Sequence, residues 1–277
     1  MTINWFPGHM NRARREITQS LATVRLVIEV LDARIPFSSG NPVIKTLLED
    51  RPCITVLNKC DLADPAATDA WLTYLNAQVG TRAIAFHRDA HETIQEIIAL
   101  GHSLAPTLNG KKSVTGMILG IPNCGKSTLI NCLVGRKVAQ TSNKPAVTKK
   151  QQRVKVRDGL WFLDTPGMLW PKLSPPDCGY RLALTGAIRD SVLDLEDIAY
   201  FAAHYLMKNY PAALAERYKL MTPPPNDEID LVRAIGLRTG CIGKGGLVSL
   251  GKAAQLFIRD IRQGALGPIS FELPSID

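Results

Sequence analysis

Gly120-Ile-Pro122-Asn123-Cys124-Gly125-Lys126-Ser127 is the stretch whose residue types and spacing carry the most chemistry. It fits G-x-x-x-x-G-K-[ST], the pattern of a loop that wraps phosphate groups with its backbone. Gly120 and Gly125 permit the tight turns that point successive N–H groups inward. Lys126 is expected to reach the β- and γ-phosphates, and the Ser127 hydroxyl to hold Mg²⁺. The nucleotide-binding set along the loop is then Pro122, Asn123, Cys124, Gly125, Lys126, Ser127 and Thr128.

Two further segments supply the rest of a nucleotide site. Asn58-Lys59-Cys60-Asp61 is an N-x-x-D segment of the form N-K-x-D, and its carboxylate suits guanine. Asp61 can accept from the N1–H and 2-amino donors of that base. Adenine has neither donor and would leave a carboxylate unpaired. The stem of Lys59 can cover the base, and Asn58 can tie the segment to the phosphate loop. Asp164-Thr-Pro-Gly167 closes an apolar run; there Asp164 can hold Mg²⁺ through water and the Gly167 N–H can sense a γ-phosphate. Thr148, in Pro145-Ala-Val-Thr148, is the expected switch threonine and a further Mg²⁺ ligand. The order is unusual: the guanine element precedes the phosphate loop by about sixty residues, where common GTPases place it after. Permuting a fold costs little when the old termini lie close together, so the same site can form.

The elements that must position these residues can be read from periodicity. An amphipathic helix is expected with Met10, Ala13, Ile17, Leu21 and Val24 on one face, after the short arm Trp5-Phe-Pro-Gly-His9. Leu26–Leu31 reads as a strand. Asn41-Pro42 is expected to open a short helix, and Pro52–Leu57 to form the strand that delivers Asn58. A helix starts at Asp64-Pro65, Ala83–Phe86 is a strand, and a helix carries Ile94, Ile97, Ile98 and Leu104. Val114–Leu119 and Leu160–Leu163 are the strands that deliver Gly120 and Asp164, and Gln140–Thr148 is a loop. Strands alternating with helices predict an α/β fold, a doubly wound and mostly parallel sheet. Trp170-Pro171 and Pro175-Pro176 mark a composition shift, so the expected domains are 1–178 and a mainly α-helical 179–277. In the latter, Ile198, Ala199, Ala202 and Leu206 form one apolar face and Ala253, Ala254, Phe257, Ile258 and Ile261 another. Ile269, Phe271 and Leu273 alternate as a last strand or extended tail.

At 277 residues the chain is long enough for both parts. No apolar run is long enough to span a membrane, and the start is not a signal peptide. The six cysteines form no C-x-x-C pair and read as reduced thiols of a cytoplasmic protein. The net charge of +8 is concentrated: residues 111–157 hold eleven Lys and Arg and no Asp or Glu. One phosphate site accounts for Lys126 alone, so a polyanionic partner, nucleic acid, is expected in addition. His87 and His91 sit four apart, but spacing places no further zinc ligands beside them. Trp71 and Tyr74 read as core.

Taken together, the chain resembles the YlqF/RbgA family of circularly permuted ribosome-assembly GTPases. The resemblance rests on Trp5–Met10, Asp32-Ala-Arg-Ile-Pro36, Asn58–Asp61, Gly120–Ser127, Thr148, Asp164–Gly167 and the helical tail, nearly the whole chain. It implies GTP hydrolysis coupled to maturation of the large ribosomal subunit, contacts with rRNA from both domains, and a monomer without membrane insertion. Met168 stands where many GTPases carry a water-orienting Gln. In the resembling family that role is proposed for the His of the arm, here His9, which gives a catalytic set of His9, Lys126, Thr148 and Gly167. Slow intrinsic turnover, raised by the ribosomal particle, follows. Asn123 resembles the Asn that supports K⁺ in cation-dependent GTPases. The family's P-G-x-T reads Pro145-Ala146-Val147-Thr148 here, and the base-binding Ser-Ala loop is degenerate around Ile84–Phe86. The rival reading is an RNA-binding assembly scaffold with GTP as a structural ligand.

Overall fold

Strand β1 (Leu26–Asp32) is buried along its whole length, as a central strand covered on both faces must be. In the computed structural model, residues 9–42, 44, 46, 51–105, 114–139, 152–157, 159–169, 173–220 and 225–274 are described; of residues 9–14 and 244 only the backbone is. Around β1 runs a six-stranded sheet in the order β3-β2-β1-β4-β6-β5. It contains β2 (Cys53–Asn58), β3 (Thr81–Phe86), β4 (Val114–Gly120), β5 (Gln152–Lys155) and β6 (Leu160–Asp164). All pairings are parallel except the antiparallel edge pair of β5 and β6.

Parallel neighbours require crossovers, and helices supply them. Helix α1 (His9–Leu21) precedes β1, and the short α2 (Pro36–Ser39) follows it. Helix α3 (Pro65–Asn76) joins β2 to β3, α4 (His91–Leu104) joins β3 to β4, and α5 (Lys126–Val134) leaves the phosphate loop. Asp64 caps α3 by accepting from Ala66 N and Ala67 N, with Pro65 in the first turn, as the sequence predicts. Successive strand residues face opposite layers. Leu26, Ile28 and Val30 pack toward Ile94, Ile97, Leu129 and Ile130 of α4 and α5. Val27, Met117 and Leu119 pack toward Ile17 and Leu21 of α1. The doubly wound sheet expected from the sequence is therefore present.

Beyond β6 the chain is helical: α6 (Asp177–Leu184), α7 (Leu195–Asn209), α8 (Pro211–Tyr218), α9 (Glu228–Arg238) and α10 (Leu250–Arg262). The expected boundary at residue 178 falls in the first turn of α6. The predicted faces of α7 and α10 are buried, with Ile198, Ala202, Leu206, Ala253, Phe257 and Ile258 each at most 2% exposed. This apolar core is continuous with the sheet layer of α4 and α5 through Leu169, Leu173 and Leu182. Each large apolar side chain buried in it contributes about 1.5–3 kcal/mol.

One detail differs from the sequence-based expectation. Helix α2 at Pro36–Ser39 was not predicted, because four residues are too few to show periodicity. Residues 42, 44 and 46 are helical, where Asn41-Pro42 predicts a short helix; the Ile44 N–H donates to Asn41 O at 2.9 Å, and the Asn41 side-chain amide donates to the Met168 carbonyl at 3.1 Å. The tail after α10 takes the extended form, the second of the two expected: Ile269 and Phe271 are buried, while Leu273 is 67% exposed. The expected loop over residues 140–148 lies outside the described residues.

Candidate functional site

The strand order reverses between β1 and β4, since β2 and β3 lie to one side of β1 and β4 to the other. Crevices at the carboxyl ends of strands beside such a switch point are where open α/β sheets bind ligands. Asp32, Asn58, Gly120 and Asp164 are the last residues of β1, β2, β4 and β6. The segments that sequence spacing picked out thus meet at one end of one sheet.

The phosphate loop is folded by left-handed backbone at Asn123 (φ 59°) and Gly125 (φ 101°) before α5 begins at Lys126. Gly125 has a second reason to lack a side chain. A Cβ there would lie 1.9 Å from Asn58 Nδ2. That amide nitrogen donates to Cys124 O at 2.6 Å, and Asn58 Oδ1 accepts from Lys59 N at 2.8 Å. Asn58 therefore ties the base segment to the phosphate loop, as its position predicts. Lys59 is itself left-handed (φ 62°) and its Nζ donates to Asn123 O at 2.7 Å and to Asp32 Oδ2 at 2.8 Å. Asp61 is exposed in the single turn Cys60–Leu62 that follows.

Asp32 is a contact that spacing did not assign. It is 1% exposed and pairs in bidentate fashion with Arg34, Nε to Oδ1 at 2.9 Å and Nη2 to Oδ2 at 2.8 Å. Burial would raise the Asp32 carboxyl, but Arg34 and Lys59 outweigh it and hold it well below the usual carboxylate range. The sequence signal was a pair of opposite charges, Asp32 and Arg34, at the exit of an apolar strand.

Lys126 is 6% exposed, and its Nζ donates to Gly120 O at 3.1 Å and Ile121 O at 2.8 Å, so the ammonium spans the loop. Ser127 and Thr128 are half-buried in the first turn of α5, at the positive end of its dipole. Pro122 and Cys124 are buried, and burial pushes the Cys124 thiol up. Asp164 is 2% exposed, and its Oδ1 has no hydrogen-bond partner among the described residues. Burial raises its carboxyl, against the pull of the Lys126 ammonium. A buried, unsatisfied carboxylate oxygen together with the Ser127 hydroxyl is a donor set that fits a hard divalent cation such as Mg²⁺. Among the described residues no group of three or more His, Cys, Asp and Glu is placed to hold a metal by itself, His87 and His91 included.

Gly167 abuts the loop so closely that a Cβ would lie 2.7 Å from Pro122 N and Cα. Met168 N donates to Gly120 O at 3.2 Å, which sets the switch segment against the phosphate loop. The Met168 side chain turns the other way, 2% exposed among Ile17, Leu21, Val24, Met117 and Leu119. On the far side, Asn123 Nδ2 donates to Gly186 O, in the segment after α6, at 2.7 Å. His9 opens α1, but its side chain lies outside the described residues, and so does Thr148. Trp71 is core, 4% exposed, whereas Tyr74 is 42% exposed and sits edge-on against it.

A phosphate loop, a guanine-type N-K-x-D segment and a D-x-x-G switch, met in permuted order at the switch point of one sheet, define a circularly permuted P-loop GTPase that binds guanine nucleotide. A family profile described as "50S ribosome-binding GTPase" matches residues 115–210. A relative from Priestia megaterium, "Ribosome biogenesis GTPase A", is 43% identical over 99% of this chain and 98% of its own length. Its counterpart from Bacillus pumilus is also 43% identical, over 99% of both chains. Among solved structures, GNP-bound YlqF from T. maritima matches with a TM-score of 0.69 at 26% identity, covering 95% of this chain and 99% of that one. This chain belongs to the ribosome biogenesis GTPase A family, RbgA/YlqF.

Proposed function

We propose that the protein binds and hydrolyses GTP as a switch during assembly of the large ribosomal subunit, contacting rRNA. The observation that carries the reading is the tie from Asn58 and Lys59 to the phosphate loop, which joins a guanine reader to a phosphate cradle. In this reading Asn58, Lys59 and Asp61 read the base. Pro122, Asn123, Cys124, Gly125, Lys126, Ser127 and Thr128 line the phosphates. Ser127, Asp164 and Thr148 would hold Mg²⁺, which supplies charge neutralisation at the phosphates when bound. Asn123 would add a K⁺ site, Gly167 senses the γ-phosphate, and His9 orients the attacking water in place of Met168.

Residues 1–178 would then be the GTPase domain with its arm, and 179–277 a helical ribosome-binding domain, in a monomeric cytoplasmic protein. Among the described residues no helix is long and apolar enough to cross a membrane. The acid-free basic stretch supports an RNA partner. On its outer strands the Arg153 guanidinium stacks over the Trp161 ring at 4.5 Å, with the Lys155 ammonium at 5.8 Å.

Turnover tests the proposal. Purified large subunits are expected to raise GTP hydrolysis by roughly 10-fold or more, the scale on which delivered catalytic groups act. Lys126→Ala should abolish turnover. His9→Ala should lose the stimulation while keeping GTP affinity. Unchanged stimulation in His9→Ala would remove that residue from the mechanism.

A further inference from the structure

The tail after α10 returns to the sheet and touches the base-reading side of the nucleotide site, a contact that the nucleotide motifs do not use. Ile269 N donates to Leu62 O at 3.0 Å, one residue beyond Asp61. Asp64 N donates to Ser270 Oγ at 3.1 Å. Phe271 N donates to Arg34 O at 2.8 Å. The Trp71 indole N–H donates to Glu272 O at 3.1 Å. The Glu272 carboxylate, 7% exposed, accepts from the Ser38 N–H at 3.0 Å, from the Ser38 hydroxyl, and from Arg181 of α6 at 3.3 Å. Tyr210, at the end of α7, locks the same strap: its hydroxyl donates to Asp64 Oδ2 at 3.1 Å and accepts from Ser270 N at 3.2 Å.

These contacts lead in two short steps to the base reader. The strap holds the main chain at Arg34, Arg34 holds Asp32, and Asp32 holds the Lys59 ammonium. It also holds the chain just after Asp61, at Leu62 and Asp64. Asp61 itself is exposed in a single turn, so its aim toward a base must come from its flanks. Hydrogen-bond discrimination between bases requires placement within a few tenths of an ångström, and the three-residue turn cannot supply that rigidity alone.

We propose that the strap, with Ser270 and Glu272 as its anchors, consists of positioning residues for guanine recognition, making base discrimination depend on the helical part of the chain. This rests on the reading of Asp61 as the guanine acceptor. Neither anchor belongs to the nucleotide motifs; both act through Leu62, Asp64 and the Asp32–Arg34–Lys59 chain.

The test is equilibrium binding and dissociation of GDP against IDP, which lacks the 2-amino group, using the full-length chain without ribosomes. Glu272→Ala is expected to release GDP about tenfold faster and to lower the GDP-over-IDP preference several-fold. Glu272→Gln, which keeps acceptors for Ser38, should retain most of both. Ser270→Ala removes one hydroxyl and serves if Glu272→Ala does not fold; it should lower the preference in the same direction. A merely structural role would lower the melting temperature and leave the base preference of the folded fraction unchanged, and that result overturns the proposal. A wild-type chain with no preference for GDP over IDP would overturn the guanine reading and the proposal together. Failure of ribosomal stimulation touches neither.

Discussion

Asp32 holds two cations on one buried carboxylate. It sits at the end of the central strand, facing a bidentate Arg34 and the Lys59 ammonium. Arg34 Nη1 already lacks a partner, so the cluster has no spare acceptor among the described residues. Asp32→Asn would leave two cations without their counter-charge, and breaking such a buried pair costs about 3–5 kcal/mol. Urea denaturation of the variant should show that loss at pH 7. Because the folded carboxyl lies below its unfolded value near 3.8, its contribution is present above that pH and is lost as the pH falls further. Wild type should therefore lose more stability than Asp32→Asn between about pH 5 and 2. A variant as stable as wild type would show that the pair does not hold the base segment.

At the level of elements, α1 covers the switch segment. Its apolar face was readable from Ile17 and Leu21 at helical spacing, but what that face covers was not. The structure puts Met168 beneath it, so the side chain that follows Gly167 packs into the layer between α1 and the sheet. This explains why an apolar residue suffices where a water-orienting Gln is common: the position faces core. Met168→Gln should cost about 1–3 kcal/mol, because it buries an amide among apolar neighbours. It should not raise intrinsic GTP turnover, and single-turnover hydrolysis with a denaturation curve measures both. A gain in turnover would show that the side chain faces the phosphates. The same packing ties the element that bears His9 to the switch, since Met168 touches both layers.

On the scale of the whole molecule, charge and connectivity do separate work. The basic stretch was visible as composition, but the sheet decides which cations stand together. Arg153 and Lys155 are two apart on the edge strand β5, so they share a face, and Lys155 is paired directly with Trp161 of β6. Stacking on the indole holds the guanidinium outward without a carboxylate partner among the described residues. Arg153→Ala with Lys155→Ala should weaken binding to large-subunit RNA and reduce the slope of log affinity against log salt by about 1.5, two phosphate contacts' worth. A salt titration that keeps the wild-type slope would place the RNA elsewhere.

The sequence by itself determined the phosphate loop, the N-K-x-D segment, the D-T-P-G switch, their permuted order and the alternation of strands and helices. Each motif and element is local, set by residues within a few positions of one another, so spacing reveals it, and their order is simply their order along the chain. The tertiary structure decided what distance along the chain conceals. Ser38 meets Glu272 across 234 residues, and Asn41 meets Met168 across 127. A hydrogen bond between such partners leaves no period and no motif in either segment. Gly125 stands between the two cases: the motif demanded a glycine, and the fold added the reason, that the Asn58 amide occupies the space a side chain would need.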